Sequence, residues 1–262
     1  MHLSPGCLTK YEDVCRANGQ SEDTIRVKIR NLQIFANFCA KQELTHGLIH
    51  NWRAYIAEKY ATPHSRNNMI CKTNVFLDFL GLAELRIAYF QVDRRKLYLK
   101  ARSAITIDEF KAMLEYTEKT DAKANLLLRV LATTGIRSGE IHHITVEAVA
   151  VGSASFIHHK KPRKVLLPLG LCKMLSNYAQ DQGITAGPVF ISRRGNPIHQ
   201  RGIGVYLKNI AENVGIERDK INPTAFRILF ANVYYQKYGD LSGLTDLLGV
   251  TKLDMTVLYV QE

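Results

Sequence analysis

The sequence predicts a mainly α-helical protein with one small β-sheet, an α+β fold in two domains. Apolar residues recur every three or four positions along most of the chain, which is the period of helices with one buried face. Two short apolar runs around a basic turn interrupt this pattern at residues 154–170. A basic segment at residues 92–106 separates two helical parts. We therefore expect a helical first domain, 1–103, and a second domain, 104–262, that contains the sheet.

Three helices are predicted in the first domain. Ser21 is followed by two acids, and a hydroxyl cap with acids in the first turn is typical of a helix start. A second helix covers about residues 49–60, and a third starts at about Ser65, after Pro63, and ends at Gly81. The apolar faces of the first and third helices are Ile25, Ile29, Leu32, Phe35 and Cys39, and Met69, Thr73, Phe76 and Leu80.

The second domain begins with a helix after Thr106, with Asp108 and Glu109 in its first turn. A mostly buried helix follows and ends at Gly135, a residue type that favours the left-handed conformation of helix ends. The run ASFIHHKKPRKVLLPLG then predicts a β-hairpin, because apolar residues flank a polar turn. From Gly202 onward the helical period returns. The basic residues at or near the hairpin tip are Lys160, Lys161, Arg163 and Lys164.

The charge of the chain indicates an anionic partner. The 35 Lys and Arg residues exceed the 24 Asp and Glu residues, which gives a net charge of +11. Residues 1–103 hold 16 basic and 9 acidic residues, net +7, and the remainder holds 19 and 15, net +4. Nucleic acid is the common partner of such a chain, although a merely basic protein with solvated helical faces is the alternative. The predicted linker carries Arg94, Arg95, Lys96, Lys100 and Arg102, which we expect to contact a DNA backbone.

Several classes of protein are disfavoured. The five cysteines form no CxxC pair and are expected to be reduced core residues. No apolar run approaches the roughly 20 residues of a membrane span, and no signal-peptide core is present, so a cytoplasmic, nucleoid-associated protein is expected. Phosphate-binding loops and zinc motifs are absent. Neighbouring histidines diverge on helices and strands, so neither His142–His143 nor His158–His159 predicts a metal site, and no cofactor is expected.

Four side chains are candidates for phosphate chemistry. Arg137 lies at the end of an apolar run with Glu140 three residues later, which could accept a hydrogen bond and orient it. Lys160 lies at the hairpin, Arg227 lies in an apolar stretch, and Tyr259 lies near the last residue. A guanidinium offers a planar fork of donors that suits two phosphate oxygens. Each residue alone also has a structural explanation: a buried ion pair, a solvated turn, or one of 12 tyrosines.

The order of these residues resembles that of the tyrosine recombinases, the phage integrase family. LLLRVLATTGIRSGEIHHITVEAV is similar to the family's first arginine box, and KKPRKVLLPLG to its lysine-bearing hairpin. PTAFRILFA is similar to the second arginine box, and LTDLLGVTKLDMTVLYV to the closing stretch with the nucleophilic tyrosine. The steps from Thr224 to Arg227, Val250 and Tyr259 are 3, 23 and 9 residues, which match the family's register.

The resemblance implies an N-terminal DNA-clamping domain followed by a catalytic domain, and it implies roles. Arg137 and Arg227 would bind the non-bridging oxygens of the scissile phosphate, and Tyr259 would be the nucleophile. Lys160 would be the general acid, with Lys161 as the alternative if the hairpin alignment is shifted by one residue. Glu140 would orient Arg137. Arg163 and Lys164 would contact DNA together with the linker.

The sequence departs from the family at two catalytic positions. Thr224 stands where a histidine is usual, and Val250 where a histidine or tryptophan is usual. Threonine is a poor proton acceptor near neutral pH, so we expect these changes to slow catalysis unless another base, such as one of the paired histidines, acts. Three residues follow Tyr259, fewer than in relatives whose tail packs on a neighbouring protomer.

The function expected from the resemblance is site-specific recombination of double-stranded DNA through a 3′-phosphotyrosine, of the integration or excision type. A homo-oligomer on DNA and no membrane partner are expected. The alternative is a catalytically weak or silent relative that binds DNA in an architectural or regulatory role. A type IB topoisomerase-like reaction would share the chemistry without strand exchange. A helical protein without a nucleic-acid partner would lack salt-sensitive DNA binding.

Overall fold

The computed structural model describes residues 2–3, 5–40, 42–92, 105–158, 161–250, 256–257 and 259–260. The chain divides into two compact units, Met1–Asp93 and Arg94–Glu262. The predicted boundary near residue 103 falls in the segment 93–104, outside the described residues, and stays a prediction. The mainly helical fold with one small sheet is confirmed, since the described residues form helices and a single antiparallel pair of strands.

The described residues of the first unit form a bundle of four α-helices around an aromatic core. Trp52 and Phe35 are fully buried with ring centroids 5.2 Å apart, and the Trp52 indole donates a 3.2 Å hydrogen bond to Thr73 Oγ1. The helix at the N-terminus was not predicted. The third predicted helix starts at Pro63, two residues before the predicted start at Ser65, because proline is compatible with the first helical turn. The helices are α1 (Pro5–Ala17), α2 (Glu22–Cys39), α3 (His46–Lys59) and α4 (Pro63–Phe79).

Two asparagines on α4 hold the extended segment that leads out of the first unit. The Asn74 amide donates to the Ile87 carbonyl at 3.0 Å and accepts from the Ile87 N–H at 2.8 Å. Asn67 repeats the arrangement with Phe90, donating at 2.8 Å and accepting at 2.8 Å. Each side-chain amide thus makes the two hydrogen bonds that a neighbouring strand would make, and it satisfies the backbone N–H and carbonyl of Ile87 or Phe90.

The second unit packs helices around the hairpin and a buried central helix. The predicted start after Thr106 is confirmed as a capping box in which the Thr106 and Glu109 side chains each bind the other's backbone N–H. The helix after the hairpin was not predicted. The elements are α5 (Ile107–Thr120), α6 (Ala122–Thr134), α7 (Val146–Val151), β1 (Ser153–His158), β2 (Lys161–Leu166), α8 (Leu169–Asp181), α9 (Gln200–Asn213), α10 (Pro223–Tyr238) and α11 (Leu241–Leu248).

Helix α6 is the centre of this unit, and its C-terminal end leads into the candidate site. Leu127, Leu128 and Leu131 on α6 are fully buried. Gly135 ends the helix in the left-handed conformation, with φ +60°. A Cβ at this position would lie 2.6 Å from Phe230 Cδ1, so only glycine permits this close approach of α10. No helix in the described part of the chain is long and apolar enough to cross a membrane.

Candidate active site

Arg137 lies just after α6, at the start of a short 3-10 helix, Ser138–His143. Its backbone N–H donates to Glu140 Oε2 at 3.0 Å, and its Nη1 donates to Glu140 Oε1 at 2.9 Å. Its Nη2 donates to the Gly249 carbonyl at 3.2 Å. The Arg137 side chain is 33% exposed whereas that of Glu140 is 5% exposed. The buried carboxylate therefore fixes the orientation of a guanidinium that still reaches solvent.

Arg227 lies on the second turn of α10 and is buried. Asn222 caps this helix by accepting from the Ala225 N–H at 3.1 Å. Arg227 Nη1 donates to the Gly135 carbonyl at 2.5 Å, and Nη2 donates to the Leu248 carbonyl at 2.6 Å. The partner that an arginine needs in an apolar setting is therefore the backbone at the ends of α6 and α11.

Arg163 is the third arginine of the same cluster. The sequence interpretation put it near the outer tip of the hairpin, but its side chain is only 4% exposed. Its Nε lies 3.3 Å from Glu140 Oε2, and its Nη1 donates to the Leu248 carbonyl. The strand alternation explains this placement, because residues 163 and 165 are the buried positions of β2. The two-residue period puts Arg163 on the same face as Val165, but Leu166 on the other face is also apolar, so the sequence left open which face is buried.

The cluster carries more positive than negative charge. The Glu140 carboxylate contacts the guanidinium groups of Arg137 and Arg163, and the Arg227 guanidinium shares the Leu248 carbonyl with Arg163. Burial and, after it, the nearby charge of Arg137 lower the pKa of Arg227 to about 10, although Tyr259 opposes the shift. Burial also lowers the pKa of Arg163. A pKa near 10 still leaves Arg227 protonated at neutral pH, so the cluster is a partly desolvated site for an anion.

Tyr259 lies beside this cluster. Its ring centroid is 5.4 Å from Arg227 Cζ, and its backbone N–H donates to the Thr256 carbonyl at 2.9 Å. The Thr256 hydroxyl is within 2.8 Å of the Thr245 hydroxyl on α11. Arg227 and Tyr259, which are 32 positions apart in the sequence, are therefore neighbours in the fold.

The two positions that depart from the family pattern occupy different environments. Thr224 is exposed on the first turn of α10. Val250 is partly buried and packs with Leu244 and Leu248 in the apolar cluster that also contains Tyr259. Val250 therefore contributes packing around the tyrosine but no polar contact.

The paired histidines lie partly within the described residues. The rings of His142 and His143 have centroids 4.0 Å apart, and His143 stacks on Phe156 at 4.1 Å and 5°. Burial and the neighbouring His142 lower the pKa of His143 from 6.5, while Glu140 opposes the shift. The imidazole of His143 is therefore mainly neutral at neutral pH. The side chain of residue 158 and all of residue 159 lie outside the described residues.

Several predicted site residues lie outside the described part of the chain or on its surface. Lys160 and the basic linker residues Arg94, Arg95, Lys96, Lys100 and Arg102 are not among the described residues, and their roles stay predictions. Lys161 and Lys164 are described and exposed on β2. The backbone carbonyls of residues 135, 248 and 249 were missed. The sequence signal for these carbonyls was Gly135 and Gly249, because a left-handed residue at a helix end redirects the carbonyls around it.

Comparison with known proteins relates the whole chain to recombinases. Tyrosine recombinase XerD of Rickettsia bellii is 23% identical over 273 residues, covering 91% of this chain and 88% of that protein. Tyrosine recombinase XerC of Xanthomonas axonopodis pv. citri is 29% identical over 148 residues, covering 53% of this chain and 48% of that protein.

Solved structures show the same fold. A lambda integrase dimer bound to a COC′ core site matches with a TM-score of 0.77 at 16% identity, covering 99% of this chain and 95% of that one. XerH bound to its difH substrate matches with a TM-score of 0.72 at 18% identity, covering 97% and 80%. The family model described as "Phage integrase family" matches residues 103–262. Because this match spans more than half of the sequence and includes every arginine of the cluster, the chain belongs to the phage integrase family.

Proposed function

We propose that this chain is a site-specific DNA recombinase that cuts and rejoins double-stranded DNA through a 3′-phosphotyrosine. The observation that carries the proposal is the buried arginine cluster beside Tyr259. Arg137 donates to the Gly249 carbonyl and Arg227 donates to the neighbouring Leu248 carbonyl, at the end of α11. Arg227 Cζ is 5.4 Å from the centroid of the Tyr259 ring. An excess of cations next to a hydroxyl nucleophile suits an anionic electrophile such as a phosphodiester.

The proposed reaction follows from these groups. The Tyr259 hydroxyl oxygen attacks the scissile phosphorus and passes its proton to solvent water, and a phosphorus–oxygen bond to tyrosine forms as the bond to the 5′ oxygen breaks. Arg137 and Arg227 stabilise the added negative charge on the non-bridging oxygens of the pentacoordinate state. Lys160, or Lys161, gives a proton to the departing 5′ oxygen. The phosphotyrosine retains the bond energy, so a 5′ hydroxyl of the same or another strand can reverse the step.

The remaining parts of the chain have proposed roles on the same DNA. Residues 1–103 form a clamp, and the basic linker residues contact the phosphate backbone, which accounts for the higher net charge of residues 1–103. Lys164 in the second domain contacts the same backbone. Residues 104–262 form the catalytic domain. The lambda integrase that shares this fold is a dimer on its core site, and we propose a homo-oligomer on DNA here too. The site of action is then the DNA of the cell or of a mobile element in its cytoplasm.

A covalent capture experiment tests this proposal and also identifies the DNA site. The full chain and its Tyr259→Phe variant are expressed in cells, which are lysed in denaturing detergent before the DNA attached to the protein is sequenced. We expect DNA enriched only with the wild type, because phenylalanine has no hydroxyl to form the ester. Equal, near-zero yields from both proteins would contradict the proposed catalysis.

The two departures in the sequence favour a second candidate function, a catalytically silent DNA-binding relative. Thr224 is exposed and Val250 offers no polar group, so neither replaces the usual histidine as a base. This candidate predicts DNA binding whose affinity falls steeply with salt, together with no covalent adduct. Restoring the family residue in Thr224→His separates the two cases further. A recombinase that is only slow would gain adduct, by up to about 10²–10⁴-fold.

A further inference from the structure

Arg163 connects the two halves of the candidate site. On one side its Nε pairs with Glu140 Oε2 at 3.3 Å, and Glu140 holds Arg137. On the other side its Nη1 donates to the Leu248 carbonyl, the same oxygen that accepts from Arg227 Nη2 at 2.6 Å. Two further hydrogen bonds also link these halves: Arg137 Nη2 donates to the Gly249 carbonyl at 3.2 Å, and Arg227 Nη1 donates to the Gly135 carbonyl at 2.5 Å.

The surroundings of Arg163 are unusual for a residue that serves only packing. Its side chain is 4% exposed, yet its Nε and Nη2 find no acceptor of good hydrogen-bonding geometry within the described parts of the chain. Arg227 Nε is likewise buried without a hydrogen-bond acceptor among the described residues. A buried guanidinium with unsatisfied donors is costly, and a hydrophobic residue would fill the same space at lower cost. The arrangement is therefore better explained by a requirement for the geometry that Arg163 enforces.

We propose that Arg163 is a positioning residue of the phosphate site. It holds Glu140 on the 3-10 helix and the Leu248 carbonyl at the end of α11 at a fixed separation, so that Arg137 and Arg227 face the same phosphate. Because Arg163 lies on β2, the same contacts also fix the hairpin, and Lys160 precedes Arg163 by three residues in the sequence. The consequence for DNA cleavage rests on the proposed function, whereas the consequence for anion binding does not.

A positioning role for Arg163 and a role as a DNA-backbone contact predict different losses on substitution. A backbone contact contributes to non-covalent affinity and to its salt dependence. A positioning residue leaves that affinity almost unchanged and lowers the rate of the chemical step. A misplacement of about 1 Å in a catalytic group costs on the order of 10²-fold in rate.

The test uses two substitutions in the full chain, Arg163→Lys and Arg163→Met. Lysine keeps the charge, but its single ammonium cannot reproduce the planar fork that spans Glu140 and the Leu248 carbonyl. Methionine removes the charge and keeps an unbranched side chain. Arg129→Met is the matched control, because Arg129 is a partly buried arginine of the same unit whose Nε binds Asn125 Oδ1 at 2.8 Å, away from the cluster.

Three readouts are taken from each protein below its unfolding temperature. The covalent capture experiment gives the yield of DNA adduct. Binding to a random-sequence duplex at several salt concentrations gives the non-covalent affinity. Thermal unfolding with and without inorganic phosphate gives the stabilisation by a simple anion. We expect both Arg163 variants to lose about 10–100-fold in adduct and most of the phosphate stabilisation. Their duplex affinity stays within about twofold of the wild type, and the Arg129 variant behaves like the wild type throughout.

The outcomes separate this inference from the proposed function. Unchanged adduct and unchanged phosphate stabilisation in Arg163→Lys would overturn the positioning role, and so would a loss of duplex affinity that matches the loss of adduct. If the wild type forms no adduct while its stabilisation by phosphate still requires Arg163, the proposed catalysis fails and the positioning role stands. If Arg163→Met does not fold, Arg163→Lys decides the question alone.

Discussion

Gly249 offers the sharpest quantitative test of the cluster. It ends α11 with φ +57°, and a Cβ built there would lie 2.9 Å from Arg163 Cζ and closer still to Nη1. Gly249→Ala therefore imposes two costs: the left-handed conformation of a residue with a Cβ, and displacement of the Arg163 guanidinium from the Leu248 carbonyl. Gly239→Ala isolates the first cost, since Gly239 ends α10 with φ +65° and no described heavy atom lies within 4 Å of its Cβ position.

The magnitudes follow from these contacts. The left-handed conformation costs roughly 1–2 kcal/mol in both variants. Replacing glycine by alanine also lowers the conformational entropy of the unfolded chain, and this effect is equal in the two variants. Loss of a hydrogen bond from a charged donor adds about 1.5–3 kcal/mol in Gly249→Ala only. For a unit of this size each kcal/mol lowers Tm by about 2–4 °C, so Gly249→Ala is expected to melt about 3–12 °C below Gly239→Ala.

The assay is thermal and urea unfolding of the full chain, followed on the transition of the second unit. Equal destabilisation of the two glycine variants would refute the reasoning. The Arg163→Met background supplies a double-mutant cycle, in which the excess cost of Gly249→Ala is expected to shrink because its partner is gone. Additive costs in that cycle would show that the glycine and the arginine act independently.

Three further predictions concern other parts of the chain. Asn74→Ala is expected to destabilise the first unit by about 2–4 kcal/mol in urea unfolding, because it leaves both backbone groups of Ile87 unpaired; a loss below about 0.5 kcal/mol would contradict this. Burial raises the pKa of Cys39 from 9.0 to about 12, so the folded chain binds this proton more tightly. The resulting stability is complete below pH 9.0 and is lost as pH rises towards 12. Native alkylation at pH 8 is expected to label exposed Cys71 and spare Cys39, and equal labelling would refute burial. Tyr259→Phe is expected to retain salt-sensitive duplex binding, and weaker binding would implicate the hydroxyl in affinity.

Local patterns made much of the fold predictable. The cap at Ser21, the helix start after Thr106 and the helix end at Gly135 all depend on contacts within four residues, and all three were predicted correctly, although the reciprocal capping box at Thr106 was seen only in the structure. The helices α1, α7 and α8 were missed. Helices α1 and α8 have an amphipathic pattern, but the prediction of the segment after the hairpin resumed only at Gly202.

The candidate site was predictable as a list of residues but not as an arrangement. The order of Arg137, Arg227 and Tyr259 indicated that they act together, whereas the acceptors that hold them are backbone carbonyls, which carry no side-chain signature. The inward orientation of Arg163 depends on which face of β2 meets the core. The burial of Val165 settles this face, and only the structure shows it, because Leu166 on the opposite face is equally apolar but exposed.

The anchoring of the arginines by backbone carbonyls has a consequence for how this site tolerates mutation. A substitution of Leu248 changes an apolar side chain but keeps the backbone carbonyl oxygen that accepts from Arg163 and Arg227. Only a change in the path of the chain removes such an acceptor, and that path is set by Gly135 and Gly249. Among the residues that supply these carbonyls, the site therefore depends more on the two glycines than on the side chain at position 248. In a mutational scan, intolerance is expected at Gly135 and Gly249 as well as at the arginines and Tyr259, although neither glycine has a functional group.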